Sequence, residues 1–244
     1  MKAVIMAGGN GTRLYPLTAI TNKHLLPLYN RPVIFHIIDK IVSAGIDRIM
    51  IVANPHSLNH FVQLLGSGKD FVSQKTGTQI QIIYGIQNAA TGIAYGLHIA
   101  RDYIGTDNLV FFLGDNIVED DLLTHVENFK GGAKVFLKKV KDPRAFGVAE
   151  VDKHSRVICI EEKPDKPKSS LAVTGVYIYD NTVFQKLDGQ KLSKRGELEI
   201  TDLNNKYAQE GTLEAVMLKK PWFDIGTFDA LLEASKYMKK KYSK

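Results

Sequence analysis

The chain has 244 residues, 44% of them hydrophobic and 24% charged, and carries a formal net charge of +6. A chain of this size and composition can bury a sizeable core without a staple, and its one cysteine, Cys159, excludes a disulfide framework and a Cys-rich zinc site. No apolar stretch approaches the ~18 residues of a membrane span and the opening run is too short for a secretory core, so a cytoplasmic protein with no membrane partner is expected.

Residues 2–6 form a short apolar run that stops at Gly8-Gly9 and reads as a buried strand. Pro32 opens a helix in which Ile34, Ile37, Ile38 and Ile41 recur at helical spacing, and Gly45 closes it. Arg48–Ala53 is a second buried strand, followed by a helix from about Ser57 to the LGSG turn, a strand over 79–84 and a helix over 91–103. Leu109–Leu113 is a further strand, ending at Gly114-Asp115-Asn116. Strands and helices alternating through short connections predict an α/β fold with a parallel sheet and helices on both faces. Beyond Gly131 the rhythm changes. Residues 133–140, 147–151, 157–161 and 172–179 are strand-like with few helices between them, then a helix over 199–209, a strand over 213–217 and a terminal helix from about Thr227 complete the chain. No composition break marks a boundary. One domain over 1–244 is expected, with a nucleotide-type half over about 1–130 and a mixed-sheet half over about 131–244.

Five segments could carry chemistry. Gly8-Gly9-Asn10-Gly11-Thr12-Arg13 directly follows the first strand, where glycines let the backbone approach an anion. It matches neither a Walker A loop nor a dinucleotide fingerprint, so it reads as a phosphate loop with its own arginine, and Lys23 offers a second cation. Gly114-Asp115-Asn116 lies at the carboxyl end of a buried strand, the edge where ligands of such sheets collect. Asp115 there either caps a helix or holds Mg2+. Glu161-Glu162-Lys163-Pro164 is either a charged surface turn or a binding loop. The segment from Arg195 to Asp202 is dense in charge ahead of a helix, where ordinary N-terminal helix acidity is the alternative, and residues 222–227 put an acid between the last strand and the last helix, where a helix cap is the alternative. HExxH, CxxC and GxSxG motifs are absent, His56 and His60 read as exposed helix residues, and Cys159 reads as core. The positive balance admits anionic partners, but its concentration in Lys236, Lys239, Lys240, Lys241 and Lys244, without interleaved aromatics, reads as a solvated helix end; no nucleic-acid partner is expected.

Taken in order, GGNGTRLYP, NKHLLPL, LGDNI, FGVAEVD, EEKP, VTGVYIYD, RGELEITDLNN and WFDIGT resemble the sugar-1-phosphate nucleotidyltransferases, from Met1 to about Leu232, and within them the thymidylyltransferases that act on glucose 1-phosphate. The resemblance implies a Rossmann-like three-layer α/β/α fold with a mixed central sheet. It also implies attack of a sugar phosphate on the α-phosphorus of a nucleoside triphosphate, so that dTTP and glucose 1-phosphate give dTDP-glucose and pyrophosphate with Mg2+ as cofactor. A phosphate monoester with its second pKa near ~6 is already ionised at neutral pH, so no general base is needed, and catalysis rests on cations and positioning.

On the same resemblance, Gly8, Gly9, Gly11, Thr12, Arg13 and Lys23 hold the triphosphate, Gln87 and Gly92 read the pyrimidine edge, and Asp115 and Asp224 hold the metal, with Asp115 also at the ribose. Gly147, Glu162, Val173 and Tyr177 bind the sugar, and Lys163 and Arg195 its phosphate; Arg13, Lys23, Lys163 and Asp115 are the groups implied in catalysis. Three departures from the family pattern bear on base selectivity more than on the chemistry: His24 stands where many members have Gln near the base, residues 88–91 lack a common Pro-Asp, and Phe146 replaces a common Tyr. The resemblance further implies a symmetric homo-oligomer, a dimer or tetramer. Longer members continue into helices that help form a regulatory nucleotide site, so feedback control at such a site is not expected here. UTP or another sugar phosphate in the same reaction, and a sugar-nucleotide-binding regulator without catalysis, are the alternatives.

Overall fold

A computed structural model describes residues 1–73, 76–89, 91–193 and 196–243. Strand β1 (Lys2–Ala7) is apolar at every position after Lys2 because helices cover both of its faces. Ala3, Ile5 and Ala7 join one core layer, and Val4 and Met6 the other. The chain then forms a small hairpin of β2 (Pro27–Leu28) and β3 (Arg31–Pro32) and enters α1 (Val33–Ser43). Pro32 stands at the N-cap of α1, Ile34, Ile37, Ile38 and Ile41 are all buried, and Gly45, at φ +80°, turns the chain out of the helix. Next come β4 (Arg48–Ala53), α2 (Pro55–Leu65), β5 (Gln81–Ile86), α3 (Ile93–Ile104) and β6 (Leu109–Leu113).

The remaining elements are β7 (Asn116–Val118), α4 (Leu123–Glu127), β8 (Ala133–Lys139), β9 (Gly147–Val151), β10 (Val157–Glu162), β11 (Leu171–Tyr179), α5 (Val183–Leu187), α6 (Ile200–Gln209), β12 (Leu213–Met217), β13 (Trp222–Asp224) and α7 (Phe228–Tyr242). Among the described residues nine strands form one mixed sheet. Strands β5, β4, β1 and β6 run parallel in that order. β11 joins β6 antiparallel and also pairs with β8, which carries β12 parallel on its far side. β9 meets β11 at Ala172 and Val148 and pairs antiparallel with β10. One core layer lies under α1, α2 and α7, the other under α3, α5 and α6. The fold is the expected three-layer α/β/α arrangement.

The connectivity fixes where a ligand can sit. From β1 the chain steps outward to β4 and β5, then returns to place β6 on the opposite side of β1. The reversal opens a crevice above the carboxyl ends of β1 and β6, which puts the glycine turn after Ala7 beside Gly114 and Asp115. Gly114 N–H donates to the Met6 carbonyl at 2.8 Å.

Several expectations shift. The strand expected over 79–84 lies at Gln81–Ile86, and Gln79 instead bridges to Val72. Cys159 is not core: it lies partly exposed on β10, toward the outer end of the sheet, and its Sγ donates to Glu150 Oε1 at 3.2 Å. Lys241 is not merely solvated; it pairs with Glu119 at 2.7 Å, tying the end of α7 to the segment after β7. Among the described residues no helix is long and apolar enough to cross a membrane.

β7 and β13 form a separate two-stranded ribbon, Trp222 opposite Val118 and Asp224 opposite Asn116. β11 passes this ribbon at Gly175, where a Cβ would lie 2.5 Å from Asn116 Nδ2 and 2.6 Å from Leu113 Cβ. Gly175→Ala should therefore cost about 1–3 kcal/mol of stability through overpacking, read as a lower urea midpoint with an unchanged slope.

Candidate active site

The turn after β1 is held open from beneath. Gly11 adopts φ +62°, and its carbonyl accepts the Thr18 hydroxyl at 2.9 Å. Thr12–Leu14 then makes one 3₁₀ turn whose buried Leu14 anchors it, so Thr12 and Arg13 face outward. The buried Asn22 side chain donates to the Ala7 carbonyl at 2.9 Å and to Ser57 Oγ at 3.1 Å, fixing the Lys23–Leu25 turn against the end of β1.

Asp115 sits where these pieces meet. Lys23 Nζ is paired with its Oδ2, and Asn116 Nδ2 donates to its Oδ1 at 2.9 Å; the Lys23 and Asp115 side chains are 14% and 16% exposed. Burial pushes the Asp115 pKa up, but the Lys23 ammonium and the Asn116 amide hold it below the usual carboxylate range. The β7–β13 pairing brings Asp224 alongside, with Ile225 N–H bonded to the Asp115 carbonyl at 2.8 Å. Burial and the neighbouring Asp115 charge push Asp224 up to about 6, against the pull of Lys23, Arg13 and Lys163. Arg13 lies against Gly226, where a Cβ would come 2.5 Å from Arg13 Nη2 and 3.4 Å from Asp224 Oδ1.

Two cavities flank Asp115. The first, about 220 Å³, is lined by Met6, Gly8, Gly9, Lys23, Gln87 and Gly92, among others. Gln87 is buried, donates to the Gly92 carbonyl at 3.3 Å and presses on Gly8, where a Cβ would be 2.4 Å from its Oε1. Gly92, at φ +98°, passes so close to the chain before α6 that a Cβ would be 2.5 Å from the Leu198 carbonyl oxygen. The second cavity, about 210 Å³, includes Gly147, Glu162, Lys163, Val173 and Tyr177. Thr201 Oγ1 donates to Glu162 Oε2 at 2.6 Å. Lys163 holds a left-handed φ of +45° before Pro164, its N–H bonded to the Phe146 carbonyl at 3.0 Å and its ammonium 3.6 Å from Glu162 Oε1. Asp115, Ile93, Leu113 and Glu197 line both cavities, so the two are halves of one cleft.

The structure therefore gathers Gly8, Gly9, Lys23, Gln87, Gly92 and Asp115 on one side, and Gly147, Glu162, Lys163, Val173 and Tyr177 on the other. Arg13 faces the second cavity rather than the first, and Gly11 and Thr12 line neither. Arg195 lies outside the described residues, as does Ala90 in the 88–91 loop. Helix capping does not explain Asp115 or Asp224: Asp115 precedes a strand, and α7 is capped by Thr227, whose Oγ1 accepts from Ala230 N–H at 3.3 Å, whereas Glu199 and Asp202 do stand at the N-cap and in the first turn of α6. His56 and His60 are exposed helix residues, as read.

Three lining residues fall inside the segments singled out from the sequence, which gave them no role of their own. Asn116 is buried and accepts from Trp222 Nε1 at 2.7 Å and Gly175 N–H at 3.3 Å while donating to Asp115. Trp222 meets Phe146 edge-on at 5.2 Å, and Thr201 braces Glu162. Asn116 and Trp222 lie in the same segments as Asp115 and Asp224, and that proximity was the available signal. As a potential cation site, Asp115 and Asp224 offer hard carboxylate oxygens side by side at the mouth of a polar cleft, which suits Mg2+. Among the described residues no cluster of three His, Cys, Asp or Glu side chains offers a site of another kind.

A family model for nucleotidyl transferases matches residues 2–241. The glucose-1-phosphate thymidylyltransferase of Neisseria meningitidis serogroup A is 41% identical across 98% of this chain and 82% of that protein. That of Mycolicibacterium smegmatis is 40% identical over the same shares. A Bacillus anthracis crystal structure, named as a candidate glucose-1-phosphate thymidylyltransferase in complex with sucrose, superposes with a TM-score of 0.89 at 45% identity, covering 97% of this chain and 94% of that one. An apo UDP-glucose pyrophosphorylase, 22% identical with a TM-score of 0.87, shares the fold over 99% of both chains.

The raised Asp224 pKa has a thermodynamic sign. A carboxyl whose folded-state pKa lies above its unfolded value contributes stability below the unfolded pKa and loses it as pH rises through the folded one, here from about 4 to about 6. In chelator-treated buffer, Asp224→Asn should thus melt a few degrees above the parent at pH 8, and the gap should close at pH 4. A parent that melts higher at pH 8 would contradict the crowded carboxylate pair.

Proposed function

The chain belongs to the nucleotidyl transferase family, as an enzyme of the kind that acts on sugar 1-phosphates, and from that premise we propose that it makes dTDP-glucose and pyrophosphate from dTTP and glucose 1-phosphate with Mg2+. The observation that carries this reading is the shared wall. One cavity has a glycine turn, a lysine and a buried amide; the other has a carboxylate, a tyrosine and an exposed lysine; Asp115 lies between them. Such a cleft suits two substrates that meet phosphate to phosphate. The two halves of the chain act as one unit on this reading, because β11 of the second half is hydrogen-bonded to β6 of the first.

In the first cavity, the Gly8–Gly9 backbone and Lys23 receive the triphosphate, while Gln87 and the Gly92 segment face the base. In the second, Glu162, steadied by Thr201, accepts from sugar hydroxyls, and Lys163 holds the sugar phosphate. Like charges a few ångströms apart in such a cleft repel by several kcal/mol, so the cations decide whether the reactants can meet. Arg13 and Lys163 both line the second cavity with Asp224, placing positive charge beside the joint. A sugar-phosphate oxygen then forms a bond to the α-phosphorus in line with the departing pyrophosphate; the bond from the α-phosphorus to its bridging oxygen breaks, and no proton has to move. Asp115 and Asp224 would hold Mg2+, which when bound offsets phosphate charge and orients the α-phosphate. Asn116 keeps the Asp115 carboxylate oriented for that role.

The test is turnover: pyrophosphate release from dTTP, glucose 1-phosphate and Mg2+ is expected, and none with any nucleotide and sugar-phosphate pair would defeat the reading. UTP differs from dTTP by the missing 5-methyl group, worth roughly a kcal/mol, and by an added 2′-hydroxyl, and a direct competition at equal concentrations ranks the two. Lys163→Ala should raise KM for the sugar phosphate roughly ten- to a hundredfold and leave KM for the nucleotide within about twofold.

A further inference from the structure

His24 stands in the first cavity with its protonation pattern dictated by a chain of neighbours. The sequence begins at the Ala7 carbonyl, which can only accept. It receives the side-chain amide of Asn22 at 2.9 Å, so Asn22 must present its nitrogen to β1 and its oxygen to the other side. Ser57 Oγ supports the same orientation, accepting from Asn22 Nδ2 at 3.1 Å while its own hydroxyl donates to Asn54 Oδ1 at 2.8 Å. Asn22 Oδ1 then accepts the backbone N–H of His24 at 3.0 Å and faces His24 Nδ1 as well. An oxygen that only accepts requires a proton on Nδ1.

A second proton on the ring would place a buried cation beside Lys23, which disfavours it. The ring is therefore neutral, and Nε2 is a bare acceptor. Its position is fixed too. The ring packs under Gly114 so tightly that a Cβ there would lie 2.6 Å from Cδ2 and 3.0 Å from Nε2. The same ring lines the cavity with Gln87, Lys23 and Asp115.

We propose that His24 is a specificity-determining residue that presents a hydrogen-bond acceptor of fixed tautomer to the nucleotide, so that the site selects a nucleotide carrying a donor at that point. This deepens the nucleotide-side reading above and rests on it. An amide at the same place can turn to offer either a donor or an acceptor; a locked imidazole offers one sign only. The donor has two possible sources in a nucleotide. One is the ring N–H of a pyrimidine dione, which cytosine replaces with an acceptor. The other is a sugar hydroxyl.

Calorimetric dissociation constants for dTTP, dCTP and 3′-deoxythymidine triphosphate, on the wild type and on His24→Leu, separate them. Leaving a buried acceptor unmatched weakens binding roughly tenfold or more. If the base supplies the donor, His24→Leu lowers the dTTP-over-dCTP preference about tenfold; if the sugar does, it lowers the preference for dTTP over the 3′-deoxy compound instead. Each ratio is internal to one protein, so a general loss of affinity cannot mimic either result. Both preferences unchanged in the variant would overturn the proposal. A long-range proton–nitrogen correlation spectrum of the wild type should show the His24 proton on Nδ1, and finding it on Nε2 would overturn the proposal whatever the variant does. Failure of the wild type to bind any of the three triphosphates would defeat the nucleotide-site reading and this inference with it; flat preferences with intact binding would defeat the inference alone.

Discussion

The architecture turns on two carboxylates held side by side against their own repulsion. Asp115 ends the segment after β6 and Asp224 ends β13, and backbone pairing between β7 and β13 leaves them no freedom to separate. Lys23 and Asn116 hold Asp115 ionised, while burial and the Asp115 charge together push Asp224 toward its neutral form. Such a pair favours any cation that can reach it. Lys23 is bonded there already, Arg13 and Lys163 converge from separate loops, and hard oxygen donors suit a divalent ion.

The rest of the fold makes this crowding possible. The reversal of strand order about β1 opens the crevice, and glycines remove the side chains that would fill it. At Gly114 the space goes to the His24 ring, at Gly175 to the Asn116 amide, and at Gly226 to the Arg13 guanidinium. Asn116 connects the parts: one amide orients a carboxylate, receives the indole of the residue that packs on Phe146, and receives the backbone of β11. The two halves of the cleft are thus mechanically joined at the point where they share a wall.

Much of the frame is legible in the sequence. Arg48–Ala53 and Leu109–Leu113 are strands at their expected limits, because strands buried on both faces are unbroken apolar runs that glycine and polar residues interrupt sharply. The start of α7 follows from Thr227, an N-cap whose chemistry is local. The β7–β13 ribbon was not legible: its strands are three residues each, and Trp222 and Asn116 are far apart in sequence, so no periodicity announces the pairing. Asp115 and Asp224 were identified as candidate ligands, with capping as a rival explanation, and only the pairing separates the two. Cys159 misled because an apolar run reads the same near the outer end of a sheet as at its centre.

The claim at the centre is that two anionic reactants meet over Asp115. A crystal structure with the sugar nucleotide bound tests it most directly. The expected result is a diphosphate spanning the wall between the cavities, its base beside Gln87 and its sugar beside Glu162, with Asp115 and Asp224 at the phosphates. A sugar nucleotide lodged away from the Gly8–Gly9 turn and from Lys163, with the acids untouched, would contradict it.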